Sequence, residues 1–290
     1  MLLGLLRSMR PMQWAKNLFV FAALVFDQKL LQPLPFLRTL AGFVLFCVAS
    51  SVVYLINDVA DRESDRQHPV KCKRAIASGV VSPGLALGTA AVLAAVALIG
   101  GFALGTAFGL VLSGFLALNL LYSFWLKHVP IIDVFIIAAG FVLRVAAGVS
   151  LIVVTRFSPW LYVCMTLLAL YIGFGKRRAE MVLVSEAAGN TRRVLDGYTI
   201  SFLDQLIVIV SATTIVAYSL YTFSAENLPK NHTMMLTIPF VLYGIFRYLY
   251  LIHVEDSGGA PEELVLKDRP LIATLVLWGI ASIAVLYLGQ

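Results

Sequence analysis

Charge is what this sequence has least of. Acidic and basic residues together fill 13% of its 290 positions, against about 25% in an ordinary globular domain, while apolar side chains reach 60%. That much apolar surface cannot be hidden in a water-soluble core, so a soluble enzyme, a disordered chain and a collagen-like fibre are excluded. Cysteine is scarce as well. Cys47, Cys72 and Cys164 are scattered, two of them inside apolar runs, which leaves neither a disulfide framework nor a metal cluster and makes them packing residues. Residues 1–10 lack a continuous apolar stretch followed by a small-residue cleavage site, so no removable signal peptide is expected. His128, His232 and His253 share no metal-ligand spacing. The net charge of +6 does not call for nucleic acid, because its distribution along the chain has another explanation.

What is present is a series of long apolar runs. A bilayer core about 30 Å thick takes about 20 mostly apolar residues per helix. Such spans are expected at residues 17–34, 39–56, 131–154, 157–175, 205–223, 234–254 and 270–288, the first being the weakest because Asp27 and Lys29 interrupt it. Residues 79–126 form a charge-free run of 48, too long for one crossing, and read as a hairpin turning at Gly100-Gly101. The fold class is therefore all-α, a polytopic membrane protein of nine spans in one domain covering residues 1–290. On the side of the amino terminus fall sixteen basic residues against four on the other, which makes the amino terminus cytoplasmic and the carboxyl terminus external in an inner (plasma) membrane.

Chemistry concentrates in Asn57-Asp58-Val59-Ala60-Asp61-Arg62-Glu63-Ser64-Asp65-Arg66-Gln67-His68-Pro69-Val70-Lys71. If the second span stays helical, Asp58, Asp61 and Asp65 stand at i, i+3 and i+7 on one face. Stacked like charges repel, and a divalent cation removes that cost. Mg²⁺ commonly joins one or two carboxylates to substrate phosphates. Arg66, Lys71, Lys73 and Arg74 follow as a set suited to phosphate oxygens. The alternative is a solvated polar loop with ion pairs that support a helix. Within the spans, Asp133 and Arg144 share a face about 16 Å apart along one helix and cannot pair directly; a wet cavity is the favoured setting for both, and pairing with other helices the alternative. Asn119 and Tyr122 add polar groups near a helix end, and Arg247 is placed to snorkel toward headgroups. His68, before Pro69, is read as shaping its loop.

The string N-D-x-x-D-x-x-x-D-R-x-H-P-x-K-x-x-R-x-I-A-S-G, from Asn57 to Gly79, resembles the first aspartate-rich motif of the UbiA superfamily of intramembrane prenyltransferases. Arg10-Pro11-x-Gln13-Trp14-x-Lys16-Asn17 and Tyr122-Ser123-x-Trp125-Leu126-Lys127 are also similar to family sequences. Ala75 departs from the family's proline, a change of loop geometry. A larger departure concerns the second aspartate-rich motif, in whose place stands Lys176-Arg177-Arg178-Ala-Glu180. That balance, with Asp196-Gly197-Tyr198 and the stretch from Tyr248 to Pro270 that holds His253, Glu255, Asp256, Pro261, Glu262, Lys267 and Asp268, resembles the decaprenyl-phosphate phosphoribosyltransferase branch. The resemblance implies transfer of 5-phosphoribose from phosphoribosyl pyrophosphate to a polyprenyl phosphate, with Mg²⁺ as cofactor.

It further implies Asp58 and Asp61 at the Mg²⁺-pyrophosphate and Asp65 and Asn57 in support. Arg66, Lys71 and Arg74 then hold phosphate oxygens, Lys176, Arg177 and Glu180 organise the second phosphate-bearing substrate, and Lys16, Tyr122, Asp133 and Arg144 complete the substrate cavity. The expected partners are the two substrates and the membrane, with a homo-oligomer left open, and the product would feed a lipid-linked pentose into a cell-envelope arabinan. The runner-up, transfer of a prenyl chain to an aromatic acceptor, needs the missing second carboxylate cluster. A transporter would not readily explain three aspartates beside a basic cluster at one mouth.

Overall fold

Proline and polar caps open most of the long helices. Their chain order is α1 (Leu2–Ser8), α2 (Ala22–Phe26), α3 (Pro33–Ala60), α4 (Arg62–Gln67), α5 (Pro83–Leu104), α6 (Thr106–Phe124), α7 (Ile132–Leu151), α8 (Trp160–Glu186), α9 (Ile200–Ser224), α10 (Ile238–His253) and α11 (Arg269–Leu288). Helix α5 begins where the Ser82 hydroxyl accepts from the Leu85 amide at 3.3 Å and Pro83 follows, and α9 where Thr199 does the same for Phe202 at 3.1 Å. Asp268 caps α11 by accepting from the Leu271 amide at 2.8 Å. This computed structural model describes residues 1–67, 71–154, 158–186, 193–226, 228–255, 264 and 267–288. Among them there is no strand.

Seven helices are long and apolar enough to cross a membrane: α3, α5, α6, α7, α9, Thr233–His253 (α10 with the 3-10 turn before it) and α11. Two of the expected nine spans are built differently among the described residues. Residues 17–34, broken by Asp27 and Lys29, begin in a 3-10 helix, Pro11–Phe21, and continue into the five-residue α2. In α8, Lys176, Arg177, Arg178 and Glu180 occupy the second half, so its charge-free part is shorter than about 20 residues.

The chain forms two compact units, one of residues Met1–Val25, Lys29–Leu126 and Leu143–Val154, the other of Phe26–Gln28, Lys127–Val142 and Thr155–Gln290. In the first, α3 lies along α5 and α6, with the Phe46 ring 5.9 Å from Phe108 and 5.1 Å from Phe115. The turn expected at Gly100-Gly101 is not there: α5 runs through both residues to Leu104 and the chain turns at Gly105. These glycines serve packing instead. A Cβ on Gly100 would stand 2.9 Å from Leu45 and one on Gly101 3.0 Å from Leu112, so each bare backbone seats a leucine of a neighbouring helix. Gly148 of α7 is tighter still, since a Cβ there would collide with the carbonyl oxygen of Val20.

In the second unit α8 packs along α9, and the Tyr171 and Tyr248 rings meet edge to face at 5.2 Å. Two glycines bring chemistry-bearing groups together. At Gly173 a Cβ would stand 2.6 Å from Val134, so α7 approaches α8 closely and Asp133 comes within reach of Arg177, one turn further on. At Gly197 a Cβ would strike Pro130, which lets Tyr198 reach the start of α7.

Candidate active site

Helix α3 carries 28 residues, about 42 Å at 1.5 Å each, and so outruns a bilayer core about 30 Å thick and takes Asn57 and Asp58 to its end. Asp61 interrupts the helix (φ −90°, ψ 4°), yet helical hydrogen bonding bridges the break: the Asp61 amide donates to the Asn57 carbonyl at 2.9 Å and the Asp65 amide to the Asp61 carbonyl at 2.8 Å. The register predicted from spacing therefore survives for two of the three carboxylates. Asp58 and Asp65 face inward, each 3% exposed. Asp61 is half-buried and accepts from Asn57 Nδ2 at 3.1 Å instead of joining them.

Arginines, rather than carboxylates, complete the inward-facing pair. Arg74 Nη1 donates to Asp65 Oδ2 at 2.6 Å and to Asp58 Oδ1 at 3.3 Å, and Arg10 Nη2 donates to the same Asp58 oxygen at 2.5 Å. The Arg10 guanidinium also lies over the Tyr54 ring, 4.8 Å from its centre. Arg66, expected to hold phosphate, is used by the fold: Nε donates to the Ala77 carbonyl at 3.0 Å and Nη1 to Glu63 at 3.2 Å. Lys71 and Lys73 are exposed on the 3-10 turn Lys71–Lys73, and Lys16 is half-buried. His68, Pro69 and Val70 of the motif lie outside the described residues.

The donor chemistry here fits Mg²⁺. Three carboxylates and a side-chain amide within little more than two helical turns are hard oxygen donors, and the arginine contacts to Asp58 and Asp65 leave Oδ2 of the first and Oδ1 of the second without a hydrogen bond among the described residues. No group of three or more His, Cys, Asp and Glu side chains already converges on a metal position among the described residues.

The second group, in the other unit, differs from expectation. Asp133 is wholly buried and faces no cavity, for it accepts from Arg177 Nε at 2.7 Å and from the Tyr198 hydroxyl at 2.7 Å. Arg177, 1% exposed, also binds Glu180 through Nη1, so Glu180 pairs three residues back rather than with Lys176 four back. Arg177 is thus a structural cation. A buried carboxylate demands one. Burial, then the hydrogen bond to Asp133, pushes the Tyr198 phenol well above its usual 10. Arg178 holds Asp204 at 2.7 Å and the Ile252 carbonyl at 2.7 Å. Lys176 alone of the three cations makes no hydrogen bond or ion pair to another described residue, and it is half-buried.

Arg144, in the first unit, is 7% exposed, donates to Asn17 Oδ1 at 2.7 Å and lies over Phe115. Tyr122 is half-buried, and Asn119 returns its amide to the Phe115 carbonyl of its own helix at 2.8 Å. Arg247, expected to snorkel to headgroups, makes a two-point ion pair with Asp268 at 2.7 and 3.2 Å. Arg10 and Tyr198 are the site residues not singled out from sequence. Both lie in segments whose likeness to family sequences was visible. Arg156, Arg192, Asp256, Pro261 and Glu262 lie outside the described residues.

Known proteins extend this picture. The profile of the UbiA prenyltransferase family matches residues 17–178. The decaprenyl-phosphate phosphoribosyltransferase of Corynebacterium glutamicum is 32% identical over 98% of this chain and 87% of its own length. That of Mycolicibacterium smegmatis is 34% identical over 95% and 90%. Among solved structures, a UbiA homolog from Archaeoglobus fulgidus bound to GPP and Mg²⁺ has a TM-score of 0.76 at 20% identity, covering 98% of this chain and 99% of that one. At such identity the likeness is one of fold.

Proposed function

Because the chain belongs to the UbiA prenyltransferase family, we propose that it transfers 5-phosphoribose from phosphoribosyl pyrophosphate to a polyprenyl phosphate, decaprenyl phosphate among them, and releases pyrophosphate. The observation that carries this choice is relatedness, at 32–34% identity over nearly the full length, to proteins named for that transfer. The geometry of α8 agrees with it. Where a second metal cluster would need acidic oxygens, Arg177 and Arg178 are committed to carboxylates and Lys176 is left to meet a phosphate.

The chemistry then follows from the groups in place. A phosphate monoester is anionic at neutral pH and needs no general base to attack the anomeric carbon; the bond from that carbon to the pyrophosphate oxygen breaks as the bond to the lipid phosphate oxygen forms. Asp58, Asp61 and Asp65, with Asn57, would hold Mg²⁺, which supplies neutralisation of the leaving pyrophosphate. Arg74 and Lys71 bind phosphate oxygens. Asp65 holds Arg74 in position. Lys176 captures the second phosphate-bearing substrate, while Asp133, Arg177, Glu180 and Tyr198 hold the helix that presents it.

The reading includes a single UbiA-like domain with nine crossings, the N-terminal segment and α8 being added to the seven apolar helices, in the inner membrane. The cation asymmetry supports a cytoplasmic amino terminus and a cytoplasmic mouth. A lipid-linked pentose for cell-envelope arabinan is the proposed product's use. Purified protein with Mg²⁺, phosphoribosyl pyrophosphate and a polyprenyl phosphate should yield pyrophosphate and a lipid that releases ribose phosphate in mild acid. Inactivity there, with turnover of a prenyl diphosphate and an aromatic acceptor, would reverse the assignment.

A further inference from the structure

Arg10 has no part in the transfer as described, yet the structure spends much to keep it where it is. It is a non-glycine residue in the left-handed region (φ 52°, ψ 63°), and Pro11 follows it. An L-residue there is strained, and a following proline narrows its options further. Strain of this kind persists where neighbouring structure imposes it, often at functional sites. What is gained is placement: the side chain reaches 48 residues along the sequence to Asp58 Oδ1 at 2.5 Å and rests on Tyr54.

The electrostatics give that placement a meaning. Arg10, Asp58, Arg74 and Asp65 form one chain of contacts at 2.5, 3.3 and 2.6 Å, and their four charges sum to zero. Asp58 and Asp65 keep an oxygen each for a hard cation, but a bare divalent ion would enter beside two guanidinium groups that offset both carboxylates, so little net attraction remains for it. A diphosphate changes the balance. It brings several negative charges and pairs of oxygens spaced for a guanidinium fork, so it competes with Asp58 for Arg10.

We propose that Arg10 makes metal uptake conditional on the sugar donor: it neutralises Asp58 in the empty enzyme and transfers to the diphosphate as the donor arrives. Donor and cation then enter together, and the substrate-free enzyme holds little metal. This rests on reading Asp58 as a residue of the Mg²⁺-pyrophosphate site.

Equilibrium dialysis of the detergent-solubilised protein against Mn²⁺, alone and with inorganic pyrophosphate, tests it without turnover, because soluble Mn²⁺-pyrophosphate distributes equally across the membrane. Wild-type protein should take up Mn²⁺ at least tenfold more tightly with pyrophosphate than without. Arg10→Gln should bind Mn²⁺ alone at least tenfold more tightly than wild type, and Arg10→Lys, which keeps the charge, within threefold of wild type. If Arg10→Gln and wild type bind Mn²⁺ alone within twofold of each other, the proposal is overturned while the transfer reading stands. Should Arg10→Gln not fold, the wild-type arm still decides, since equal Mn²⁺ affinity with and without pyrophosphate also overturns it. No uptake by wild type under either condition overturns the metal site and the proposal with it.

Discussion

Arg177 donates through Nε to Asp133 at 2.7 Å, and neither side chain is more than 2% exposed. A pair so deeply buried is held by each partner's need for the other, since removing one leaves a charge with no water to solvate it. Arg177→Ala should therefore destabilise the protein by about 3–5 kcal/mol. Tyr198→Phe, which removes one hydrogen bond to the same carboxylate, should cost about 1.5–3 kcal/mol. Thermal unfolding in detergent measures both, and unchanged melting for Arg177→Ala would show that the pair is not structural.

Lys176 and Arg177 are neighbours in sequence with opposite expected phenotypes. Lys176→Ala should leave melting unchanged and raise KM for one of the two phosphate-bearing substrates by about tenfold, as loss of one charge-assisted contact predicts. Steady-state kinetics with each substrate varied in turn identifies which. Unchanged kinetics would remove Lys176 from the site.

Asp58→Ala should reduce kcat by about 100-fold or more, the scale of losing a group that stabilises transition-state charge. Asp65→Ala should also loosen Arg74, so its effect should appear in both kcat and KM. Chelation of divalent ions should abolish transfer, and added Mg²⁺ should restore it. Full activity after chelation would contradict a metal role for these aspartates.

Asp268 binds Arg247 at two points and caps α11. The hydrogen bond from Arg247 holds its carboxyl below the ordinary 3.8. A folded pKa below the unfolded value gives stability that is complete above pH 3.8 and is lost as pH falls through the folded value. Melting temperature measured from pH 6 to pH 3 should fall more steeply for wild type than for Asp268→Asn, which still caps the helix but does not titrate. Parallel curves would mean the pair contributes nothing measurable.

Composition alone made the membrane class legible, and heptad-like spacing correctly set Asp58 and Asp65 on one inward face. What the sequence hid were partners distant along the chain. Nothing near Arg177 indicates that its acceptor is Asp133, 44 residues away, and a cation beside a helix end reads equally as ligand-binding or structural. The partner of Arg10, Asp58, is likewise 48 residues away. The Gly100-Gly101 pair misled because glycine marks both a turn and a close helix contact, and only the leucines opposite decide which. The interruption of residues 17–34 by Asp27 and Lys29 was visible, and there the chain forms a 3-10 segment and a short helix.

The contact between Gly148 and Val20 bears on how the protein is made. The N-terminal segment packs mainly on α3, but the place of Val20 is closed by α7, more than a hundred residues downstream, so this one contact cannot form until α7 has left the ribosome. Ribosome-bound chains stopped before α7 should leave Val20 open to a cysteine-directed label introduced there, and chains stopped after it should not. A bulkier residue at position 148 would push Val20 away from α7 in the finished protein, while Trp14 and Asn17 keep the segment on α3.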